Sequence, residues 1–213
     1  MGLTRRITRH QLFIHHSIPY TSHNSVMCFS GETSRELITE IKKITIDFIK
    51  KESAPKSDPG ICLVFPKELD CPEKLIDFGM RAKKQKLYKK EAYSLANQLS
   101  VHLSEHGGTG DGIIGALAGT GLRLSGCDGR FKGSHFIVKT ATKYQIRDLC
   151  KNAEIDRVCT ENGKVLSEKE WIFLEGKIKT ILKNNQSVLL IKDYYIQNQT
   201  ILKNLSHIEM KKY

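Results

Sequence analysis

Glu105-His106-Gly107-Gly108-Thr109-Gly110-Asp111-Gly112-Ile113-Ile114-Gly115-Ala116-Leu117-Ala118-Gly119-Thr120-Gly121-Leu122-Arg123-Leu124-Ser125-Gly126 is the stretch on which the fold turns. Ten of the sixteen glycines of the chain fall between Gly107 and Gly133. Glycine is costly in regular elements, so such a concentration marks backbone that bends sharply or comes close to a neighbour. The spacing predicts a loop opening a helix at Asp111 or Gly112 and running through Ile113, Ile114, Leu117 and Ala118. Gly115, Ala116, Ala118 and Gly119 would give that helix a smooth surface for close packing. Gly110-x-Gly112-x-x-Gly115 satisfies the dinucleotide pattern, but its upstream flank reads as helix. About twenty residues on stands Ser134-His135 in place of an acidic ribose ligand. No nicotinamide or other cofactor is therefore expected.

The amides at the start of such a helix bind anions. Asp111 sits where a phosphate would sit, and Glu105 and Asp128 add further acid to a basic chain. A cationic ligand is thus as consistent with the segment as a phosphate. The bland alternative is that the glycines serve only packing and that Asp111 is only a cap.

Upstream, Asn24–Phe29 reads as a strand. A helix follows from Leu37 to about Lys51, with Ile38, Ile41, Ile44, Phe48 and Ile49 at helical spacing. Ser57-Asp58-Pro59-Gly60 is turn chemistry ahead of a strand at Ile61–Phe65. Helices are predicted over about 73–83 and 86–104, with His102 and His106 spaced i, i+4 at the end of the second, which would put both imidazoles on one face, and Glu105 between them in sequence. Beyond Phe131 the texture becomes five or six short strand-like runs separated by polar turns.

The expected architecture is α+β. It comprises an N-terminal arm over 1–23, an α+β ligand-binding domain over 24–134, and a small mostly-β domain, barrel or OB-like, over 135–213. Strands 24–29 and 61–65 are expected to share one sheet. His10, His15, His16 and His23 fall on the arm or beside it and are not expected to form a metal site.

The chain has 213 residues, 39% hydrophobic and 27% charged, which fits a folded globular protein rather than a disordered one. No apolar run approaches the ~18 residues of a membrane span. The N-terminus lacks the apolar core of a signal peptide, so a cytoplasmic protein without a membrane partner is expected. Six singly scattered cysteines, with no Cys-x-x-Cys pair, speak against a zinc ribbon and for reduced thiols. The net charge of +11 favours polyanionic partners. Its densest block, Arg81–Lys90, contains Lys83, Lys84, Lys86, Lys89 and Lys90. These five are candidate RNA contacts; otherwise the block is the solvated face of a helix.

Ser57-Asp58-Pro59-Gly60-Ile61, followed by Gly110-Asp111-Gly112-Ile113-Ile114-Gly115-Ala116-Leu117-Ala118, resembles the ferredoxin-like, agmatine-binding domain of the archaeal tRNA-isoleucine agmatidine synthetases. The likeness covers roughly residues 24–130. It implies a ferredoxin-like α/β sandwich whose two motif segments lie near each other at a ligand pocket. Asp58, Gly60, Glu105, His106, Gly110, Asp111, Gly112 and Asp128 would then be the ligand-binding residues. The Asp-Asp-Thr-Asp motif of the family's kinase-like catalytic domain is absent, as is its zinc ribbon. The resemblance therefore implies a module for a small cationic amine or nucleotide-like ligand, serving tRNA modification without the ATP-using engine. An RNA-binding accessory protein using the 81–90 block is the alternative, and an enzyme with its site at loop 107–133 is a second one.

Overall fold

The computed structural model describes residues 3–20, 23–152, 154–196 and 199–213. The chain divides into two compact units, Met1–Ser125 and Gly126–Tyr213. The fold is mixed α+β, and among the described residues no helix is long and apolar enough to cross a membrane.

The first unit is built around the glycine-rich helix. β1 (Leu3–Gln11) pairs antiparallel with β2 (Ser25–Glu32), and α1 (Ile38–Glu52) follows. β3 (Gly60–Leu63) leads through α2 (Pro72–Ala82) and α3 (Lys89–Gln98) to β4 (His102–Glu105), which pairs antiparallel with β3. α4 (Gly112–Leu124) closes the unit. Its Ile113, Leu117, Ala118 and Leu122 are buried in one core with Leu75 and Phe78 of α2 and Ala92 and Ala96 of α3.

The small residues of α4 are explained by distance. A Cβ on Gly121 would lie 1.9 Å from the Leu75 carbonyl oxygen of α2, and one on Gly119 would lie 2.4 Å from the Val26 side chain of β2. Approach at that range leaves no room for a side chain, so α2 and β2 clamp α4 on two sides.

Three expectations are corrected here. The segment read as an arm contains β1, whose inward residues Thr8 and His10 are fully buried and bonded to each other, Oγ1 to Nε2, at 2.8 Å. Polar side chains satisfied pairwise on the inner face erase the apolar alternation that would have announced a strand. Second, strand 24–29 does not join strand 61–65: β2 takes β1 as its partner and β3 takes β4. Third, the helix expected to reach residue 104 ends at Gln98. Ser100 takes a positive φ of 52°, and the chain re-enters as β4. Leu99 and Leu103 continue the helical spacing, and a four-residue strand is too short to display its own period.

The second unit comprises β5 (Arg130–Phe131), β6 (Phe136–Gln145), α5 (Ile146–Asn152), β7 (Arg157–Thr160), β8 (Trp171–Ile178), β9 (Ile181–Lys183), β10 (Gln186–Ile196) and β11 (Gln199–Asn204). The boundary falls at Ser125/Gly126, where residue 134 was expected. β10 is the hub: residues 188–191 pair with parallel β7 on one edge. The other edge is shared, 186–188 with β9 and 191–196 with β11. The path runs on from β11 to β8 and β6. The expected barrel does not close among the described residues, because the sheet divides along its longest strand instead of returning on itself. One face packs Ile172, Leu174, Ile178, Leu189 and Ile191 against Ile146 and Leu149 of α5. On the opposite face, Met210 and Leu205 cover Val188 and Leu190.

Candidate functional site

Two turns meet at the start of α4. The Asp58 carboxylate accepts the Gly110 amide at 2.9 Å, the Asp111 amide at 3.1 Å and the Thr109 hydroxyl. The His106 amide donates to the Pro59 carbonyl at 3.0 Å, locking the two segments backbone to backbone. Contact is close enough to require glycine on both sides. A Cβ on Gly60 would lie 2.5 Å from the Ile113 nitrogen, and one on Gly112 would lie 1.7 Å from the Asp58 carbonyl oxygen. Ser57-Asp58-Pro59-Gly60 and Gly110-Asp111-Gly112 are thus one structural device, split by about fifty residues of chain.

The helix start is therefore occupied by a carboxylate of the protein itself, and that carboxylate is Asp58. Asp111 stands at the cap position, makes no side-chain capping bond and is exposed. Helix-start amides and the positive end of the macrodipole favour an anion there. Asp58 supplies it, accepting the amides of the two residues that lead into α4.

Glu105, on the last residue of β4, turns toward the same loop. Its Oε1 accepts the Tyr93 hydroxyl at 2.6 Å and faces the Lys89 ammonium at 2.9 Å. Its Oε2 lies 1.8 Å from where a Cβ of Gly110 would stand, which only glycine at a φ of 80° permits. Lys89 also donates to the Thr109 carbonyl at 2.8 Å. The Tyr93 hydroxyl and then the Lys89 ammonium hold the Glu105 carboxyl below the usual carboxylate range, partly opposed by desolvation and by the nearby Asp58 charge. Tyr93 is correspondingly pushed up. Lys89 places a primary ammonium between Glu105 and the glycine loop.

Along β4, His102, Ser104 and His106 project on one side, as alternation requires. The Ser104 hydroxyl bridges them, 3.0 Å from His102 Nε2 and 2.7 Å from His106 Nε2. A hydroxyl has one proton, so at most one of the two imidazoles accepts from it and at least one donates to it. Both imidazoles are held below the ordinary histidine value. Burial is the first cause, followed by Lys42 of α1 for His102 and Lys50 of α1 for His106. The helical (i, i+4) relation expected for these histidines is a strand relation, and Ser104, which joins them, had no signal of its own in the sequence.

Asp128 lies in the second unit. Cys62, beneath the loop, is pushed up to about 11 by burial, against a weaker opposing bond to Thr120, and stays a thiol near neutral pH. Exposed Cys127 contacts Asn184 through its sulfur.

The 81–90 block is not one helix face. It spans the end of α2, a turn and the first residues of α3. Arg81 pairs with Asp77 and Glu91. Lys86 donates to the Ser17 carbonyl at 2.9 Å and Lys89 is engaged at Glu105, whereas Lys84 and Lys90 are exposed. Between α2 and α3 runs a cleft of about 420 Å³ lined by Glu73, Asp77, Arg81, Glu91 and Gln98, which helical spacing alone did not reveal.

No family model matches the chain. Over 112 residues it is 32% identical to the isoleucine-tRNA 2-agmatinylcytidine synthetase TiaS of Thermococcus sibiricus, a stretch amounting to 51% of this chain and 25% of that protein. A region of the chain is thus related to that synthetase, and the chain spans about a quarter of the length of the curated relative it matches.

Proposed function

We propose that the first unit is a ligand-holding module of a tRNA-modification system, taking a small cationic amine at the acidic start of α4. The observation that carries this reading is the convergence of Asp58, Glu105 and the Asp111 backbone on one glycine-lined loop, with an ammonium already seated at Glu105. Carboxylates brought together raise each other's cost unless a cation or several amides compensate. Asp58 draws on amides, and Glu105 draws on the Lys89 ammonium.

An incoming amine would replace Lys89 at Glu105, with the exposed Asp111 as a second carboxylate on the same loop. Asp58 at the helix start favours this amine over a nucleotide-like phosphate. The relationship to a 2-agmatinylcytidine synthetase supports both the amine and the tRNA setting.

Calorimetric titration with agmatine tests the reading. Saturable binding is expected. Glu105→Gln should weaken it and Lys89→Gln should strengthen it, because the internal competitor is gone. Asp111→Asn should cost about 1.5 kcal/mol, the lower end for a charged hydrogen bond because solvent screens the site. No binding heat, or identical curves for all four proteins, would refute the amine site.

A further inference from the structure

We propose that the β6–β8 side of the sheet in the second unit, on the face that Met210 and Leu205 cover only over Val188 and Leu190 of β10, binds single-stranded RNA, with Trp171 as the stacking ring and Lys143 and Lys177 as phosphate contacts.

Strand register builds this face. Lys143 of β6 stands opposite Phe173 of β8, Phe173 opposite Lys203 of β11, and Lys203 opposite Lys192 of β10. Opposed residues share a face, so these four form one row across the sheet. Two residues along, Gln145 stands opposite Trp171, and Ile201 opposite Tyr194, giving a second row. At the other end of β8, Lys177 stands opposite Ile137, which is 62% exposed. From Trp171 to Lys177 the strip is about 20 Å long, enough for several nucleotides.

Trp171 is 52% exposed, and Lys143 Nζ lies 5.4 Å from its ring centroid. Tyr194 is likewise flanked by Lys192 at 4.7 Å and Lys203 at 5.4 Å. Lys203 pairs with Glu175 and Lys192 with Glu209, so these two position the aromatic rows. Lys143 and Lys177 make no ion pair among the described residues.

Cations outnumber carboxylates along the strip, where Glu175 of β8 and the neighbouring Glu209 are each taken up by a lysine. His207 is held below its ordinary value by burial and then by Lys179, Lys211, Arg130 and Lys177. The unit as a whole carries sixteen Lys and Arg against ten Asp and Glu. A large apolar ring left in water among cations fits a partner with π-faces and phosphates. Single-stranded nucleic acid offers both, whereas a duplex hides its bases.

Trp171 is the only tryptophan in the chain, so its fluorescence reports the proposed contact directly. A twelve-nucleotide oligouridine is expected to quench it saturably, with affinity falling as salt rises. By anisotropy of a labelled oligouridine, Trp171→Ala should lose roughly tenfold in affinity, the scale of one stacked base, and Trp171→Phe should keep most of it. Changing Lys143 and Lys177 to Gln should lower the log–log salt slope by about 0.7 for each.

Unmoved fluorescence, equal affinity of wild type and both Trp171 variants, or equal binding of a twelve-base-pair duplex would overturn the proposal. Light scattering showing a dimer that dissolves on Trp171→Ala would also overturn it, assigning the face to a second copy. The test stands apart from the amine site: agmatine binding can fail in the same preparation while oligouridine binding persists.

Discussion

The loop at the start of α4 and the open sheet face of the second unit handle charge in opposite ways. At the loop, Asp58 and Glu105 are each held by specific donors within 3.1 Å, and backbones approach until only glycine fits. On the sheet face, Trp171 and Ile137 lie more than half exposed, and Lys143 stands over the Trp171 ring with no ion pair among the described residues. A charge surrounded by fixed donors is preorganised for one small partner, since ordering costs are met on folding. Long lysines around an exposed ring suit a flexible partner that brings its own charges.

The sharpest way to break this contrast is to crowd the first unit. Gly121→Val should destabilise by about 3 kcal/mol or more, because its Cβ would meet the Leu75 carbonyl and neither helix can yield. Trp171→Ala on the open face should cost under about 1 kcal/mol. Urea denaturation of both variants measures the difference, and similar losses would mean that the face is as tightly packed as the helix pair.

A smaller effect separates the two aspartates. Asp58→Ala removes an acceptor for two amides and a hydroxyl, with an expected loss of about 2 kcal/mol; Asp111→Ala, with no capping bond to lose, should stay within about 0.5 kcal/mol. Equal losses would show that the helix start does not depend on Asp58.

Next comes pH. His102 and His106 have folded values below their unfolded ones, so the unfolded chain binds more protons as pH falls through about 6.5 and below. Stability should therefore drop with falling pH in that window and level off above it. The doubly substituted His102→Gln, His106→Gln protein should show a flatter profile in thermal melts from pH 5 to 8. An unchanged slope would remove the histidine–serine bridge as its source.

The smallest effect is expected at the α2–α3 turn. Lys83, Lys84 and Lys86 changed together to Gln should lower the salt slope of tRNA binding by no more than about 1.4, about 0.7 for each of two lysines, since Lys86 is already engaged by Ser17. Titrations that superimpose on wild type would leave RNA contact to the second unit alone.

Several features were legible before any coordinates. The glycine spacing from Gly107 onward announced a helix that neighbours approach closely, and the helix over 73–83 was placed within one residue of α2. The turn at Ser57-Asp58-Pro59-Gly60 was read from turn chemistry, which acts within a few residues, and the nearness of that turn to Gly110-Asp111-Gly112 was implied by the family resemblance. Ser104 went unnoticed because a lone serine between alternating residues has no local signature, and its role exists only through two imidazoles.

The sequence by itself determined what depends on near neighbours: the turn at Pro59-Gly60, the small-residue surface of α4, the α+β texture and the excess of positive charge. Tertiary structure alone decided which carboxylate occupies the helix start, that residues 102–105 form a strand against β3, and that β1 is a strand. It also decided that Lys143, Phe173, Lys203 and Lys192 stand in one row. Turn and helix signals arise from backbone sterics and spacing along one stretch of chain. Strand partners and rows are set by register between distant stretches, and a shift of one residue there would turn the whole face over.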